Sequence, residues 1–291
     1  MRSQRNSPGK VNFLLNILGQ RQDGFHELET VMHPVAVFDT LEFELTKTPG
    51  LALTCNNPAL PMDSTNLVHR AATAFRRVAN VSGGVQIHLE KRIPLAAGLG
   101  GGSSNAAHTL VGLNELFGNP LPADQLIQMA ASLGSDVPFF LQTAPALATG
   151  RGERILPLPP FPALRDAFIF LVYPGFGIST AWAYQQLPGF PDALCGKPGR
   201  AQELISVLQN LDLAKAAPAF YNALEAPALK KYPLLQIFQE FLRENGAAVV
   251  LMSGSGSTTF AIISSQSAAE ELAVKFRAKF GESHWTEIVR L

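Results

Sequence analysis

The sequence of 291 residues contains only two cysteines, Cys55 and Cys195, and they lie far apart in the chain. They form neither a CxxC pair nor a disulfide framework, so the simplest interpretation of each is a small buried hydrophobic residue. Six histidines are scattered without the spacing of metal ligands. These absences argue against a structural zinc site.

An excess of charge of one sign is also absent. Lys+Arg and Asp+Glu each number 23, so the formal net charge is zero, and charged residues make up only 16% of the chain. Nothing global therefore attracts the protein to nucleic acid or to an anionic membrane, and we expect neither as a partner. Hydrophobic residues make up 47%, which is enough for real cores and excludes a disordered chain.

Long hydrophobic runs are missing as well. The longest candidates, Ala167–Tyr173 and Ala247–Met252, have the length of buried strands and fall short of the ~18 residues that a membrane-spanning helix needs. The apolar stretch Val11–Leu18 near the basic N-terminus is interrupted by Asn12 and Asn16, and no small-residue cleavage site follows it. We therefore expect a soluble, cytoplasmic protein.

The hydrophobic pattern predicts a mixture of strands and helices. Strands are predicted where β-branched and apolar residues alternate or run together, at Val11–Leu18, Val31–Leu45, Val85–Leu89, Phe168–Tyr173, Ala247–Met252 and Thr258–Ile263. Helices are predicted from the 3.6-residue spacing of apolar residues, at Asn66–Val78, Ser103–Phe117, Leu126–Leu133, from Thr180 onward, and at Ser267–Phe280. The strict βαβ order of a parallel sheet is absent, so the pattern favours the α+β class.

The length suggests about two domains at roughly 150 residues each. Composition changes at Leu156–Arg165, which carries four prolines. We place the boundary there, and predict an N-terminal domain over residues 1–158 and a C-terminal domain over residues 159–291.

The most informative segment is Pro94–Ser104, which has the sequence PLAAGLGGGSS and precedes a predicted helix. Four of the five residues Gly98–Gly102 are glycine, so a ligand can approach the backbone closely. The free N–H groups and the dipole of a helix N-terminus favour a phosphate there, and Ser103 and Ser104 add hydroxyl groups or cap the helix. Neither GxxxxGK[ST] nor GxGxxG is present, because no lysine follows and Ser103 replaces the third glycine. A simple tight turn is the alternative, although a turn needs fewer glycines.

The segment Pro94–Ser104 resembles the ATP-binding signature of the GHMP kinases, which phosphorylate galactose, homoserine, mevalonate and related small alcohols. The resemblance runs from Lys10 to about Ile263, and further segments carry it: Gly9–Asn12, Gly19–His26, Leu133–Phe139 and Ser253–Ser257. Within the family, Arg21–His26 (RQDGFH) is similar to members whose substrate carries a cytidine diphosphate group.

The resemblance implies a two-domain α+β GHMP kinase fold. Its N-terminal domain would be ribosomal protein S5 domain 2-like, with an unusual left-handed βαβ unit, and its C-terminal domain would be ferredoxin-like. The implied reaction transfers the γ-phosphate of ATP to the 2-hydroxyl of CDP-methylerythritol, in non-mevalonate isoprenoid precursor biosynthesis. Mg²⁺ would arrive as MgATP, with at most a hydroxyl of Ser103 or Ser104 and the carboxylate of Asp136 nearby.

The resemblance assigns catalysis to Lys10 and Asp136. Asp136 would accept or orient the proton of the substrate hydroxyl, and Lys10 would stabilise charge on the moving phosphoryl group. From the residues alone, Asp136 has the alternative role of capping a local turn, and Lys10 that of an ordinary solvated lysine. Asn12 would lie on the same face of a strand as Lys10 because side chains alternate with a period of two.

The resemblance also implies two sets of binding residues. The ATP-binding set comprises Pro94, Leu95, Ala96, Ala97, Gly98, Leu99, Gly100, Gly101, Gly102, Ser103, Ser104, Asn66 and Lys91. The substrate-binding set comprises Asn12, Phe25, His26, Thr180 and Tyr184. Phe25 and His26 would stack on cytosine and read its edge, with Tyr184 as a second ring.

Alternatives remain for several of these residues. Asn66 has the alternative role of a helix cap, Asn12 that of a satisfied buried amide, and Tyr184 that of a core aromatic. Phe25 stands where the family usually has Tyr, so a contact made by the phenol oxygen would be lost while stacking survives. Ser253–Ser257 either closes over the diphosphate or is a plain turn between strands.

Two other functions are weighed against this one. The first is a GHMP kinase for another alcohol, such as mevalonate or homoserine, which the base-reading pair Phe25–His26 argues against. The second is a non-catalytic nucleotide-binding sensor, which the presence of both Lys10 and Asp136 argues against. The oligomeric state is left open.

Overall fold

The computed structural model describes residues 1–210 and 213–291. In these ranges the chain forms eleven β-strands: β1 (Arg2–Gln20), β2 (His26–Thr46), β3 (Leu51–Cys55), β4 (Gly84–Glu90), β5 (Ala146–Gly150), β6 (Arg154–Pro157), β7 (Phe168–Tyr173), β8 (Tyr221–Asn222), β9 (Val249–Met252), β10 (Thr259–Ile263) and β11 (Trp285–Arg290).

The same described ranges contain ten α-helices: α1 (Leu67–Val78), α2 (Gly101–Leu116), α3 (Ala123–Leu133), α4 (Thr180–Gln186), α5 (Pro191–Leu194), α6 (Arg200–Asn210), α7 (Leu213–Ala216), α8 (Glu225–Lys231), α9 (Pro233–Glu244) and α10 (Gln266–Phe280). They also contain four short 3-10 helices: Pro138–Leu141, Pro162–Leu164, Leu187–Gly189 and Ala217–Ala219.

The chain divides into two compact units, and strands β1 and β2 each contribute to both. Unit 1 comprises Met1–Gly9, Val37–Ile93 and Gly100–Thr143. Unit 2 comprises Lys10–Ala36, Pro94–Leu99 and Ala144–Leu291. The glycine-rich segment is therefore divided, with its first half in unit 2 and its second half at the start of α2 in unit 1.

Unit 1 combines a small mixed sheet with three helices. The central strand β4 pairs antiparallel with β2, where Leu45 faces Val85, and in parallel with β3, where Leu51 faces the same residue. Helix α1 connects β3 to β4, so these three elements form a βαβ unit; its predicted left hand stays a prediction. The helices α1, α2 and α3 pack on one another, and Phe43 and Phe75 are almost fully buried. Each such ring contributes about 1.5–3 kcal/mol through burial.

Unit 2 contains a four-stranded antiparallel sheet with the order β11-β7-β10-β9. When β7, β9, β10 and β11 are numbered 1 to 4 in chain order, their order across the sheet is 4-1-3-2. This order fits the ferredoxin-like expectation. Helices α9 and α10 pack against this sheet through an apolar cluster that includes Phe170, Phe238, Ala261 and Phe276. The continuous apolar run of β7 is explained because all four of its middle residues are buried.

The remainder of unit 2 supports the second half of β1. Strand β8 pairs in parallel with β1, where Leu15 faces Asn222. Strand β5 pairs antiparallel with the start of β2 and with β6. A second apolar cluster, which includes Leu15, Ile178, Leu224 and Met252, joins β1 to α8, α4 and the end of β9.

The α+β class is confirmed by this combination of helices and sheets, whereas some predicted element boundaries are wrong. Helix α2 begins at Gly101, with Gly100 as its N-cap, and neither Ser103 nor Ser104 caps it. Strands β3, β5, β6, β8 and β11 were not predicted. The boundary between residues 158 and 159 stays a prediction. Among the described helices, none has both the length and the apolar character needed to cross a bilayer.

Candidate active site

In unit 2, Lys10 and Asn12 project from the same face of β1, as the period of a strand predicts. The Lys10 ammonium nitrogen Nζ lies 2.6 Å from Oδ1 of Asn12 and 3.1 Å from the carbonyl oxygen of Gly98. The amide of Asn12 in turn donates to the Thr30 hydroxyl at 2.8 Å, which turns its oxygen toward Lys10. Both side chains are 3% exposed, so this is a held cation and not a solvated one.

The first half of the glycine-rich segment packs on the turn Ser253–Ser257, here called the Gly-Ser turn. The Ser253 hydroxyl donates to the carbonyl oxygen of Gly98 at 3.0 Å. Gly98 has φ +79°, and a Cβ built there would lie 2.1 Å from the carbonyl oxygen of Ser253. Only glycine fits such a position. Two segments far apart in sequence are thus brought together in unit 2, and the predicted role of the Gly-Ser turn over a diphosphate stays a prediction.

In unit 1, the second half of the segment forms the first turn of α2. Gly100 is in the left-handed region with φ +68° and offers no side-chain cap, so amides of the first turn are left for another acceptor. Gly102 is exposed and Ser103 is partly exposed. Ser104 is buried, and the Ser7 hydroxyl donates to its oxygen at 2.7 Å. Ser103 is therefore the better placed of the two serines to meet an anion at this helix N-terminus.

Lys91 in unit 1 forms a buried ion pair with Asp39. Its Nζ atom lies 2.5 Å from Oδ2 of Asp39 and donates to the carbonyl oxygen of Ile93 at 2.8 Å. The other carboxylate oxygen of Asp39 accepts hydrogen bonds from the backbone of Arg92 and Ile93, and Asn105 of α2 donates to Oδ2 at 2.9 Å. Burial lowers the pKa of Lys91, although Asp39 opposes this effect. The pair thus joins Asp39 of β2 and the residues that follow β4 to Asn105 of α2.

Asn66 and Asp136 also lie in unit 1. Asn66 caps α1, because its Oδ1 accepts a hydrogen bond from the backbone of Val68 at 2.9 Å, so this alternative role is realised. Asp136 lies in the turn after α3, which a hydrogen bond from the Val137 backbone to Gly134 closes at 3.2 Å. The next helix, Pro138–Leu141, packs against α2. Asp136 is partly exposed, and its predicted catalytic role stays a prediction.

The aromatic residues predicted to hold a base lie in unit 2. Phe25 is 51% exposed at the tip of the turn between β1 and β2, and the guanidinium of Arg151 lies 4.8 Å from its ring centroid. The rings of His26 and Tyr184 are 5.0 Å apart between centroids and inclined by 36°. Burial lowers the pKa of His26, which favours a neutral imidazole with one donor and one acceptor.

Thr180 is exposed at the start of α4 and reaches the Gly-Ser turn. Its hydroxyl lies 2.9 Å from that of Ser255. Ser179 caps the helix by accepting a hydrogen bond from the backbone of Trp182. The neighbouring Trp182 packs edge-on against Tyr232, and the Lys231 ammonium lies 4.1 Å from its ring centroid.

Sequence reasoning missed Asp39 and left Arg151 without a role. Asp39 falls on the same face of the predicted strand Val31–Leu45 as the apolar Phe43, and this position was a signal of a buried, paired carboxylate. Nothing in the spacing of Arg151 along the sequence could reveal its contact with Phe25. In the described part of the chain, no group of three His, Cys, Asp or Glu residues gathers as a metal site would require.

Comparison with known proteins agrees with this geometry. A family model described as GHMP kinases N terminal domain matches residues 66–143, and one described as GHMP kinases C terminal matches residues 196–282. The curated 4-diphosphocytidyl-2-C-methyl-D-erythritol kinase of Pelotomaculum thermopropionicum is 41% identical over 92% of this chain and 91% of its own length. Its counterpart in Citrifermentans bemidjiense is 40% identical, and the match covers 92% of each chain.

A solved structure gives the same result. A crystal structure of 4-(cytidine 5'-diphospho)-2C-methyl-D-erythritol kinase superposes with a TM-score of 0.79 at 34% identity, and the match covers 99% of this chain and 100% of that chain. The fold and the site therefore define an ATP-using small-molecule kinase of the GHMP class. Within that class, the chain belongs to the family of the 4-diphosphocytidyl-2-C-methyl-D-erythritol kinases.

Proposed function

We propose that this chain phosphorylates the 2-hydroxyl of 4-diphosphocytidyl-2-C-methyl-D-erythritol with ATP, giving the 2-phosphate and ADP. The observation that carries the proposal is the Lys10 ammonium, buried and held between Asn12 and the carbonyl oxygen of Gly98 in the glycine-rich segment. A fixed cation at a phosphate-binding backbone is what a phosphoryl transfer requires for charge stabilisation. The high identity to the named kinases supports the substrate.

The proposal assigns the transfer to two residues. Asp136 orients the substrate hydroxyl and takes its proton as the oxygen attacks the γ-phosphorus. Lys10 balances the negative charge on the transferred group, and Asn12 holds the alcohol in place. Free amides of the first turn of α2 and the Ser103 hydroxyl bind ATP phosphate oxygens. Asn66, Lys91 and the other residues of Pro94–Ser104 are assigned to nucleotide binding on the resemblance to the family.

The cytidine group is assigned to the aromatic residues of unit 2. The exposed face of Phe25 stacks on cytosine, and neutral His26 reads its edge with one donor and one acceptor. The centroids of His26 and Tyr184 are too close to admit a base between them, so Tyr184 supports the His26 ring. Thr180 and Ser255 offer hydroxyl groups for the diphosphate.

Mg²⁺ enters this proposal as part of MgATP. Mg²⁺ prefers oxygen ligands and keeps several waters. The partly exposed oxygen donors of unit 1 that suit it are the Ser103 hydroxyl and the Asp136 carboxylate, whereas the Ser104 hydroxyl is engaged with Ser7. When bound, the ion neutralises charge on the phosphate oxygens.

The test is to mix the purified protein with MgATP and 4-diphosphocytidyl-2-C-methyl-D-erythritol, follow ADP release, and identify the product by phosphorus NMR. Parallel reactions contain mevalonate, homoserine or methylerythritol phosphate without the cytidine. We expect turnover with the cytidine compound alone. Turnover only with another alcohol would discard the substrate, and bound ATP without ADP release would point to a sensor.

A further inference from the structure

Asn222 is a buried side-chain amide that bonds backbone groups at the end of β9, in the Gly-Ser turn and at the start of α8. Its amide nitrogen donates to the carbonyl oxygens of Met252 and Gly254, each at 2.8 Å. Its oxygen accepts a hydrogen bond from the backbone of Leu224 at 2.9 Å. The side chain is 3% exposed. Asn222 therefore bonds the carbonyl groups of the residues before and after Ser253, at the start of the Gly-Ser turn.

The same residue is joined to the strand that carries Lys10. Asn222 faces Leu15 across the parallel pairing of β8 with β1, and the next backbone amide, that of Ala223, donates to the Leu15 carbonyl oxygen at 2.9 Å. Asn222 thus links β1 to the Gly-Ser turn through one rigid side chain.

The held turn approaches the Lys10 ammonium. Gly254 has φ +55°, and a Cβ built on it would lie 3.1 Å from Nζ of Lys10 and 3.2 Å from Oδ1 of Asn12. The backbone of Gly254 therefore lies directly beside the ammonium. A shift of this turn changes the space around Lys10 directly.

Glu225 adds a further bond to the same structure. Its carboxylate accepts a hydrogen bond from the backbone of Met252 at 2.7 Å and one from Gln239 at 2.5 Å. The segment Asn222–Glu225 thus holds both the N–H and the carbonyl group of Met252. The three hydrogen bonds to residues 252 and 254 fix the turn more tightly than packing alone would.

We propose that Asn222 is a positioning residue for catalysis, which sets the placement of the Lys10 ammonium by holding the Gly-Ser turn against it. The proposal rests on the proposed function for its kinetic consequence, but its geometric part is independent of the substrate. Asn222 does not touch the reacting atoms. It acts through Gly254 on Lys10.

The first test is hydrogen exchange measured by mass spectrometry over residues 250–260, in the wild type, Asn222→Asp and Asn222→Ala. The backbone amides of Ser253 and Gly256 are bonded within the turn and report its order. Loss of the two donated hydrogen bonds should speed their exchange about 10-fold or more. The matched control is Asn114→Asp, because Asn114 is also buried and bonds backbone groups of Leu121 at 3.0 Å, far from the turn in sequence. Unchanged exchange in both Asn222 variants would overturn the proposal.

The second test separates positioning from general stability. With the folded fraction checked by circular dichroism, Asn222→Asp should lower kcat about 10- to 100-fold, the scale of a misplaced catalytic group, with little change in KM. Asn114→Asp should leave kcat unchanged. The rate of a Lys10→Gln variant is measured by single turnover with enzyme in excess. Adding Asn222→Asp to this variant should lower that rate little further, because both substitutions act through the Lys10 ammonium. If Asn222→Asp lowered the rate by the same factor in the wild type and in Lys10→Gln, the link between Asn222 and Lys10 would be overturned.

The two proposals fail in different ways. If the wild type releases no ADP from the cytidine substrate, the proposed function fails, and the exchange experiment still decides whether Asn222 holds the turn. If the wild type turns over and Asn222→Asp retains full kcat, the positioning role fails and the function stands.

Discussion

The ammonium of Lys91 and the carboxylate of Asp39 form an ion pair that is almost completely buried, with Nζ and Oδ2 2.5 Å apart and side chains 3% and 0% exposed. The carboxylate also accepts hydrogen bonds from two backbone amides and from Asn105. A buried charge that loses its partner is far more costly than an exposed one. Loss of either partner should therefore weaken the contact between β2, the residues after β4 and α2.

Replacing Lys91 should consequently destabilise the protein. We expect Lys91→Met to lower the free energy of unfolding by about 3–5 kcal/mol, because Asp39 remains buried without its cation. The double variant Lys91→Met with Asp39→Asn should recover part of that loss. Urea unfolding measures both, and Lys275→Met, which breaks an exposed pair with Glu271, should cost less than about 1 kcal/mol. A loss as small at Lys91 as at Lys275 would contradict this account.

The fold was predictable where one physical signal dominated. Strand β7 was predicted with its observed bounds, because a continuous apolar run ends at Pro174 and Gly175. The start of α2 was predicted two residues late, since Gly100 and Gly101 are poor helix formers and their conformation is set by contacts beyond the helix. Strand β8 has two residues and no pattern of its own, so its pairing with β1 could not be read from the sequence.

The candidate site was predictable to a similar degree. The shared face of Lys10 and Asn12 follows from the period of a strand, and the structure brings them to 2.6 Å. The meeting of His26 with Tyr184, and of Gly98 with Ser253, depends on long-range topology that spacing does not encode. Asn222 gave no local signal at all, since an asparagine in a short strand is ordinary until its partners are known.

The proposed role of Asp136 predicts a selective loss of turnover. Asp136→Asn keeps the shape and the hydrogen bonding of the turn but removes the base, so kcat should fall by ~10² or more with substrate binding nearly unchanged. Steady-state kinetics with titration calorimetry measure the two effects separately. Asp166→Asn, at a mostly exposed position, serves as the control and should keep full activity. If Asp136→Asn also kept full kcat, Asp136 would only cap its turn.

The exposed ring of Phe25 predicts a loss of affinity for the cytidine substrate. Phe25→Ala should weaken binding of that substrate by ~1–3 kcal/mol, the scale of one lost stack, and leave KM for ATP unchanged. Phe38→Ala, at another exposed phenylalanine, controls for the loss of a surface ring. An unchanged KM for the cytidine substrate would remove Phe25 from the binding site.

His33 predicts a pH dependence of stability. The ring stacks on Phe13 at 5.0 Å, and burial lowers its pKa from 6.5 to about 4. The folded state binds this proton more weakly than the unfolded chain does. The stability from neutral His33 is therefore complete above pH 6.5 and is lost as the pH falls from 6.5 toward 4.

The loss attributable to His33 should reach about 3 kcal/mol, since each pKa unit corresponds to about 1.4 kcal/mol. Urea unfolding of the wild type and of His33→Phe at pH 7 and pH 4.5 measures it, because phenylalanine keeps the ring and cannot bind a proton. His88→Phe, at a partly exposed position, controls for the added phenyl group. If the free energy of unfolding fell by the same amount between pH 7 and pH 4.5 in the wild type and in His33→Phe, His33 would not contribute to the pH dependence.

The contact between Gly98 and Ser253 predicts that an added methyl group will separate the two turns. Gly98→Ala places a Cβ 2.1 Å from the Ser253 carbonyl oxygen, so the turn must move away from Lys10, and both stability and turnover should fall. Gly118 offers a matched control, because it has φ +82° against +79° at Gly98 but nothing within 4 Å of its Cβ position. Gly118→Ala should therefore cost only the ~1–2 kcal/mol of a left-handed residue and leave kcat unchanged. Urea unfolding and steady-state kinetics on both variants separate the effect of the contact from that of backbone strain. If Gly98→Ala and Gly118→Ala lost the same unfolding free energy and both kept full kcat, glycine would be required at position 98 for its backbone conformation alone.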